Sequence, residues 1–527
     1  MAAAMAARTE EMRLEAVARG GGMPDLARQF IVYLYRHIRE RNLPEIGVMV
    51  ESAFEKLSER YFKANAWPAP ELAAPLVDHD HVFMILYREL YFRHIYRTAG
   101  LVSVEHRVQS WANYQSLFGV VLHGGLNILL PPGWLWDTLD EFVYQFQSFH
   151  HAYAKLATPG AVDEDEAAVL RQAGKEDVWA PLQVLLYLQA LVDKSDIVNK
   201  LKVAQRTGQG DVAVLEGHRG DSNVLPVMGY YALVCLGRVH SLLGDFHSAL
   251  ASLAPIHLRL PGYYAAIPAC HAGLLYHAGV AYMASRRYVD AIRCLNGACV
   301  AVARARVGFR GAPVKLEAML KRAEMSYALL TCCLALVPRW EMLDEAVVTT
   351  LRSDVWANRV ARLDAGDDSL FDELFSYGCP KFVTLHAEQG EPQAAYRAQL
   401  ALFMEDAKAR SAAASIASYL RLYTSISLEK LSVLSGEPVD TIRRHLIALR
   451  AQGMMKTAPP PSGLVDPEAC ATDGTFVSYD RVRFVLDGDV VRVLDNPAAS
   501  TGAPRNYAQF FTSAIQALDT LAPVGAK

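Results

Sequence analysis

The sequence predicts a mainly α protein in which a long array of packed helices precedes a small module of helices and a β-hairpin, and then one more helix. Three observations predict this fold class. Apolar residues recur at helical spacing from Pro24 to about Lys408. Two segments within that stretch match one another. After Ala412 the pattern changes to short helices, a proline-rich break and alternating apolar residues.

Length and charge narrow the possibilities. At 527 residues and 58.1 kDa the chain is longer than a domain with a single hydrophobic core usually is, so we expect several domains or an elongated repeat array. Its formal net charge of −4 excludes the overall electropositive excess of a free nucleic-acid binder. Any contact with nucleic acid must therefore be local.

Two aromatic-rich segments predict helices that are buried on most sides. They are HVFMILYRELYFRHIY, residues 81–96, and WLWDTLDEFVYQFQSF, residues 134–149. Each carries apolar side chains on more than one face, so each must pack against several neighbouring helices. We interpret these aromatic residues as helix-helix core and not as the lining of a ligand site.

A repeated segment predicts helical hairpins. LGRVHSLLGDFHSALASL, from Leu236, aligns with AGVAYMASRRYVDAIRCL, from Ala278. The alignment matches Gly237 with Gly279, Phe246 with Tyr288, Ala249 with Ala291, and Leu253 with Leu295. This pattern is typical of tetratricopeptide (TPR)-like hairpins, although the interval exceeds that motif's usual length of about 34 residues. The sequence therefore predicts an irregular TPR-like solenoid, with Gly237, Gly279 and Ala291 at close helix crossings.

The stretch from Leu428 to Gly453 predicts two helices around a Gly-Glu-Pro turn, and RVRFVLDGDVVRVLDN, residues 481–496, predicts a hairpin across Asp487-Gly488. Together they predict a winged helix. Its second helix carries arginines where a DNA-reading helix would, but nearby carboxylates offset them, and apolar residues are committed to packing. The arginines are Arg443, Arg444 and Arg450, the carboxylates Glu429, Glu437 and Asp440, and the packing residues Ile442, Leu446, Ile447 and Leu449. We interpret the module as a protein-contact element.

A final amphipathic segment predicts the candidate partner interface. Asn506 can cap NYAQFFTSAIQALDTL, a helix with its large apolar residues on one heptad seam. These residues are Tyr507, Phe510, Phe511, Leu518 and Leu521. Such a seam must pack on the module or on another protein.

The sequence gives no indication of enzymatic activity. It has no P-loop, nucleophile elbow or zinc-protease motif, and Gly174-Lys175 is followed by Glu176 where a P-loop needs a hydroxyl. We interpret DHDH, Asp78 to His81, as a solvated helix start and not a metal site, and Arg219 to Asp221 as a chance adhesion tripeptide. The eight cysteines form no Cys-x-x-Cys pair, and no stretch is long and apolar enough for a membrane helix. We therefore expect a cytoplasmic protein with no catalytic, cofactor-binding or metal-binding residues.

The order of these elements resembles the PCI architecture of the proteasome lid, the signalosome and eukaryotic translation initiation factor 3. Longer blocks are similar to the subunit L family of that initiation factor, from about Pro24 to Leu521. They include GWLWDTLDEFVYQFQSF, LVDKSDIVNKL, HSLLGDFHSAL, RRYVDAI, FDELFSYGCPKF and SYLRLYTSISLEKL. The chain departs from the family in its N-terminal tail, in residues 158–177 and between Leu385 and Ala414.

This resemblance implies a non-catalytic scaffold that acts in translation initiation on the small ribosomal subunit, with the PCI subunits K and E as neighbours. It leaves a contact with RNA open. We divide the chain into a flexible tail (1–22), a helical-repeat domain (23–410), the winged-helix part of a PCI module (411–497) and a C-terminal helix and tail (498–527). The alternatives are a nucleic-acid-binding winged-helix regulator and a PCI subunit of the proteasome lid or signalosome.

Overall fold

A computed structural model describes residues 23–494, apart from 99, 125, 159, 217–221, 260, 309–312, 386–390, 459–470 and 479–481. The prediction of a mainly α fold is confirmed: helix follows helix from Asp25 to Leu420. The predicted N-terminal tail and the predicted C-terminal helix lie outside the described residues.

The first half of the solenoid packs around the two aromatic-rich segments, and their predicted burial is confirmed. Tyr87, Trp134, Phe142 and Phe146 are among the largest fully buried side chains. The helices are α1 (Asp25–Glu40), α2 (Leu43–Val48), α3 (Phe54–Tyr61), α4 (Pro70–Ala73), α5 (His81–Arg97), α6 (Val104–His123), α7 (Pro132–Ala154), α8 (Glu164–Lys175), α9 (Pro181–Ser195), α10 (Ile197–Arg206) and α11 (Asp211–Glu216). A π-helical turn (Met49–Ala53) joins α2 to α3.

The predicted repeat forms two helical hairpins, α12 (Val224–Leu243) with α13 (Phe246–Ser252), and α14 (Pro268–Ala284) with α15 (Tyr288–Gly308). A Cβ atom at Gly237 would lie 2.9 Å from the Leu253 side chain, and one at Gly279 would lie 2.8 Å from that of Leu295. Ala291 is fully buried. The predicted close crossings are therefore confirmed, and the same glycine-leucine contact occurs in both copies.

The solenoid ends with α16 (Pro313–Leu336), α17 (Glu345–Leu351), α18 (Asp354–Asp364), α19 (Asp368–Gly378) and α20 (Ala394–Leu420). Helix α20 contributes side chains to two hydrophobic cores. Phe403 and Ala407 belong to the large core of the solenoid, whereas Ile416 and Leu420 belong to a second, smaller core. One unbroken helix thus crosses residue 410, where the sequence analysis divides the chain.

The C-terminal module contains more strands than the sequence predicts. Its elements are β1 (Ser425–Ser427), α21 (Leu428–Ser435), α22 (Val439–Gly453), β2 (Met454–Thr457), β3 (Thr475–Ser478), β4 (Arg483–Asp487) and β5 (Val490–Leu494). The wing is an antiparallel sheet of order β1-β5-β4, and β2 pairs with β3 in a separate sheet. Asp487 pairs with Val490, so the hairpin loop is Gly488-Asp489, one residue later than predicted.

The small core of the module confirms most of its predicted packing residues. Of the four residues predicted to pack, Ile442 and Leu446 are buried and Leu449 is partly buried. They pack with Leu428, Leu431, Phe484 and Val491. The prediction for Ile447 was wrong, because its side chain is exposed on α22. It directly follows Leu446, and a helix turns consecutive side chains about 100° apart, so only one of two such neighbours points into a small core.

An ionic network is buried among the aromatic residues of α5 and α7. Glu89 accepts hydrogen bonds from the Arg93 guanidinium and from Trp134 Nε1, the latter at 3.0 Å. Arg93 also contacts Asp137 at 3.2 Å, and Asp137 contacts Lys315 of α16 at 2.7 Å. Burial raises the pKa of Asp137, but Lys315 and Arg93 outweigh it and hold that pKa below its ordinary value. Each buried charge therefore has a partner.

Glu141 lies near this network, and its charge opposes folding at neutral pH. Burial raises the pKa of Glu141 to about 7, against a hydrogen bond of 2.9 Å from Gln145 and the attraction of two arginines. The native carboxyl keeps its proton between about pH 4.5 and pH 7, where the unfolded chain loses it, so native stability falls as pH rises through that range.

We expect Glu141→Gln to remove this loss, because glutamine keeps the shape and the hydrogen-bond acceptor without the charge. Thermal melts should give a higher midpoint than the parent chain at about pH 8. At about pH 3.5 the midpoint should be unchanged, because there Glu141 is neutral in both the native and the unfolded chain. A constant difference between the two proteins across this range would contradict the explanation.

Candidate interaction surface

The C-terminal module is fastened to the solenoid by side chains of the second repeat. Arg287 donates hydrogen bonds to the carbonyl oxygens of Ala471, Thr472 and Asp473 at 3.0, 2.9 and 2.9 Å. The same guanidinium makes two bonds to the Asp290 carboxylate, at 2.9 and 2.7 Å. Its side chain is almost fully buried. The backbone just before β3 is therefore held by one charged side chain.

Three further contacts complete this attachment. The Asp290 carboxylate accepts the Ala458 N–H at 3.1 Å, and Arg259 donates to the Ala458 carbonyl oxygen at 2.9 Å. Tyr282 donates its hydroxyl to the Ala471 carbonyl oxygen at 3.0 Å. We name Arg287, Asp290, Arg259 and Tyr282 the Arg287 clamp. The clamp binds the backbone just after β2, at Ala458, and just before β3, at residues 471–473. It therefore fixes the orientation of this strand pair on the solenoid.

Local structure explains why the clamp forms at this point. Arg287 stands at the tight turn between α14 and α15, and its guanidinium lies over the Tyr282 ring at 4.7 Å. Asp290 lies in the first turn of α15, where a negative charge interacts favourably with the helix dipole. Arg293 supplies a second cation to Asp290 at 2.9 Å. The turn of a repeat hairpin thus becomes a docking point.

The wing sheet presents a mixed apolar and charged outer face. Cross-strand pairs place Val485 opposite Arg492, and Asp487 opposite Val490. Val485, Val490 and Leu494 are exposed, whereas Phe484 and Val491 face the module core. Among the described residues, strand β4 pairs only with β5, so its other edge carries free backbone groups. We name the exposed face and the β4 edge the wing surface; such an edge is suited to strand addition.

Two arginines and a histidine of the module lie beside carboxylates within it. Arg443 of α22 contacts Asp489 of the hairpin loop at 2.6 Å, and Arg492 contacts Asp487 at 3.0 Å. His445 lies 3.0 Å from Glu437. The partner of Arg443 is therefore Asp489 of the wing, and none of the predicted carboxylates Glu429, Glu437 and Asp440. Pairing of Arg443 and Arg492 leaves fewer cations for phosphate, which favours the interpretation of this surface as a protein contact.

The other predicted features are distributed as follows. Tyr507, Phe510, Phe511, Leu518 and Leu521 lie outside the described residues, as do the adhesion-like tripeptide and Cys470. Within DHDH, Asp80 caps α5 by accepting the Phe83 N–H at 3.0 Å and pairs with Arg39 at 3.1 Å, as expected of a solvated helix start. In the part of the chain that the structure describes, no three potential metal-binding side chains come together.

The seven described cysteines are buried, and burial raises their pKa values above the ordinary thiol value. Thiols of this kind are poor nucleophiles and act as small apolar packing groups. No helix within the described ranges is long and apolar enough to cross a membrane.

The sequence analysis interprets the winged helix as a protein-contact element, but it does not predict the Arg287 clamp. RRYVDAI contains Arg287 and Asp290, but it was noted only as part of the repeat and of the family resemblance. A signal was present, because two adjacent arginines at a repeat turn exceed what a helix start requires. The carbonyl groups that they meet lie far along the chain, and no spacing rule links them.

Comparison with known proteins decides the family. A family model described as RNA polymerase I-associated factor PAF67 matches residues 106–518. A relative from Nematostella vectensis, named eukaryotic translation initiation factor 3 subunit L, is 35% identical over 509 residues, which cover 95% of this chain and 92% of the relative. The chain belongs to the subunit L family of eukaryotic translation initiation factor 3. The resemblance drawn from its sequence blocks is thereby confirmed.

Vertebrate members of the subunit L family are equally similar. The proteins of that name from Xenopus tropicalis and Homo sapiens are each 35% identical over 483 residues, covering 89% of this chain and 82% and 81% of the relatives. The matched range of the family model contains both the Arg287 clamp and the wing surface. These features therefore lie within the part of the chain that is related to the family.

Proposed function

We propose that this chain is a non-catalytic scaffold subunit of eukaryotic translation initiation factor 3 that acts in translation initiation, in the cytoplasm, on the small ribosomal subunit. The observation that carries the proposal is the similarity along 95% of the chain to a protein named as subunit L of that factor. We further propose the PCI subunits K and E as its direct neighbours. No catalytic residue is assigned.

The wing surface supports an assembly role. A strand from a neighbouring subunit can add to the free edge of β4, where backbone hydrogen bonds supply affinity and the exposed valines supply apolar contact. The Arg287 clamp keeps the module fixed on the solenoid, so that a partner meets one preformed surface. Preorganisation of this kind lowers the entropic cost of association.

The C-terminal segment is a second proposed contact. Residues 498–527 are proposed as a helix and tail, and the seam of Tyr507, Phe510, Phe511, Leu518 and Leu521 is proposed to join helices of neighbouring subunits. Burial of each large side chain contributes about 1.5 to 3 kcal/mol, so the seam favours a partner surface over water. The division into a tail (1–22), a repeat domain (23–410) and a winged-helix part (411–497) belongs to the same proposal.

The test is affinity purification of the tagged full-length chain from its own cells, followed by mass spectrometry. We expect subunits of the initiation factor, with K and E in the highest yield. Val485→Asp, and the double variant Phe510→Asp with Phe511→Asp, should reduce their recovery, because each places charge in an apolar contact. Leu186→Asp on α9 is the matched control, since that leucine is also about half exposed.

Undiminished recovery from both variants would move the assembly surface to the solenoid. Thermal melting of each purified variant separates lost assembly from lost folding. The description of the family model as an RNA polymerase I-associated factor favours a second candidate function, association with that polymerase. The same purification decides between them, because recovery of polymerase subunits without the initiation factor would overturn the first proposal.

A further inference from the structure

Two adjoining cavities open beside the turn between α14 and α15. One has a volume of about 220 Å³ and is lined mainly by apolar side chains of α13, α14, α19 and α20. The other, of about 580 Å³, lies between the solenoid and the β2–β3 pair. Arg286 and Asp406 line both cavities. We group them under one name, the Arg286 cleft. Its apolar end is the smaller cavity, lined by aromatic rings, and its polar end is the larger cavity, lined by several charged side chains.

Aromatic rings build the apolar end. The Phe375 and Phe403 rings stack with their centroids 4.6 Å apart and their planes at 12°, and Phe246 meets Phe382 edge to face at 6.3 Å. These rings are fixed by the core around them, so the cavity is a preformed recess. Its size and lining suit one large apolar side chain.

Cations outnumber carboxylates at the polar end. Four lysine or arginine side chains and two carboxylates line it, namely Arg286, Arg287, Arg410, Lys456, Glu405 and Asp406. Arg287 is held by Asp290, and Arg410 contacts Asp406 at 3.0 Å. Arg286 makes only a long contact with Asp406, 3.4 Å, and its side chain is 62% exposed. Its guanidinium therefore stands at the mouth of the cleft, available to an anion.

The backbone at Arg286 shows which substitution suits this position. Arg286 has a φ of 59°, in the left-handed region that favours glycine. The first repeat places Gly244 at the equivalent position, with a φ of 81°. Glycine therefore suits this turn, whereas an arginine there adopts a backbone conformation that is unfavourable for a residue with a Cβ atom.

We propose that the Arg286 cleft binds a short peptide segment of another protein, in which a large apolar side chain stands beside acidic residues. The apolar side chain enters the recess between Phe375 and Phe246, and a carboxylate pairs with the Arg286 guanidinium at the mouth. Lys456 adds positive potential on the side of the β2–β3 pair. This contact is separate from the wing surface, so it does not depend on the proposed assembly role.

The test uses the purified full-length chain and fluorescein-labelled synthetic peptides, measured by fluorescence anisotropy. The probe is a ten-residue Gly/Ser peptide with a central Asp-Phe-Asp. Two matched peptides carry Asp-Ala-Asp and Lys-Phe-Lys. We expect saturable binding of the first at concentrations below about 1 mM, and affinity at least about tenfold weaker for each of the others. Absence of saturable binding of the Asp-Phe-Asp peptide, or equal binding of all three, would overturn the proposal.

Variants of Arg286 separate binding from structure. Arg286→Gly removes the charge and suits the left-handed backbone, so the melting temperature should not fall, while peptide affinity should fall by about tenfold or more. A second variant, Arg286→Glu, reverses the charge. Its matched control is Arg36→Glu, at a similarly exposed arginine on α1; glycine would not serve there, because Arg36 lies within a helix. Only the Arg286 variants should lose affinity. Retained affinity in Arg286→Gly would overturn the assignment of this residue.

Discussion

Replacing Arg93 with methionine is expected to destabilise the solenoid by about 3 to 5 kcal/mol, the usual cost of removing one partner from a buried ion pair. The Glu89 side chain is fully buried, and without Arg93 it would keep only the hydrogen bond from Trp134 among the contacts described above. Asp137 would lose one of its two cations. Chemical denaturation of the purified chain, followed by circular dichroism, measures the loss.

An exposed pair provides the matched control. Arg36 and Glu40 have the same four-residue spacing on α1, with a contact of 2.8 Å, but both side chains lie at the surface. Arg36→Met should leave the denaturation midpoint almost unchanged, because solvent screens such pairs. Combining Glu89→Gln with Arg93→Met should recover part of the lost stability, since no uncompensated charge then remains at residue 89. Equal midpoints for Arg93→Met and Arg36→Met would contradict this account.

Helix α5, which carries Glu89 and Arg93, illustrates what the sequence can and cannot predict. The apolar residues of HVFMILYRELYFRHIY predict a helix buried on most sides, and α5 is one. Nothing in that pattern predicts that Glu89 and Arg93 are buried as well. Their partners, Trp134 and Asp137, lie on α7, and Lys315 lies on α16. Such pairing depends on which helices become neighbours, which periodicity does not specify.

Contacts that are local in sequence were predicted well. The match of Gly237 with Gly279 predicts two close crossings, and each glycine meets a leucine in the second half of its own hairpin, Leu253 or Leu295. The hairpin from β4 to β5 is also local, and its position was predicted to within one residue. Strands β2 and β3 were missed, since each has only four residues and a long proline-containing segment separates them.

The candidate interaction surface was predicted only in part. The near-neutral winged helix could be inferred from the alternation of Arg and Asp, although not that Arg443 would pair with Asp489 across the module. The Arg287 clamp joins the turn before α15 to carbonyl groups of residues 471–473. Backbone acceptors have no sequence signature, so a site made of one arginine and three carbonyl groups is invisible until the fold brings them together.

Replacing Arg287 with alanine is expected to release the β2–β3 pair from the solenoid. The variant loses three charge-assisted bonds to carbonyl groups and the bidentate partner of Asp290, a loss of about 3 to 5 kcal/mol of docking free energy. The helices of the repeats should remain folded, because their core does not depend on this side chain. Hydrogen exchange with mass spectrometry should therefore show faster exchange in residues 454–458 and 471–478, with little change in α12 and α14.

Arg293→Ala is the matched control for this experiment. Arg293 contacts the same carboxylate but is more exposed, and in the described part of the chain it makes no hydrogen bond to the β2–β3 backbone. It should leave exchange in both strands close to that of the parent chain. Arg287→Lys should fall between the two, because an ammonium group keeps the charge but cannot reproduce the planar, forked donor geometry. Release of the strands should also reduce recovery of partner subunits, because a mobile module presents the wing surface in many orientations and binding must then order it. If exchange rises equally in Arg287→Ala and Arg293→Ala, the carboxylate of Asp290 and not the guanidinium of Arg287 holds the module.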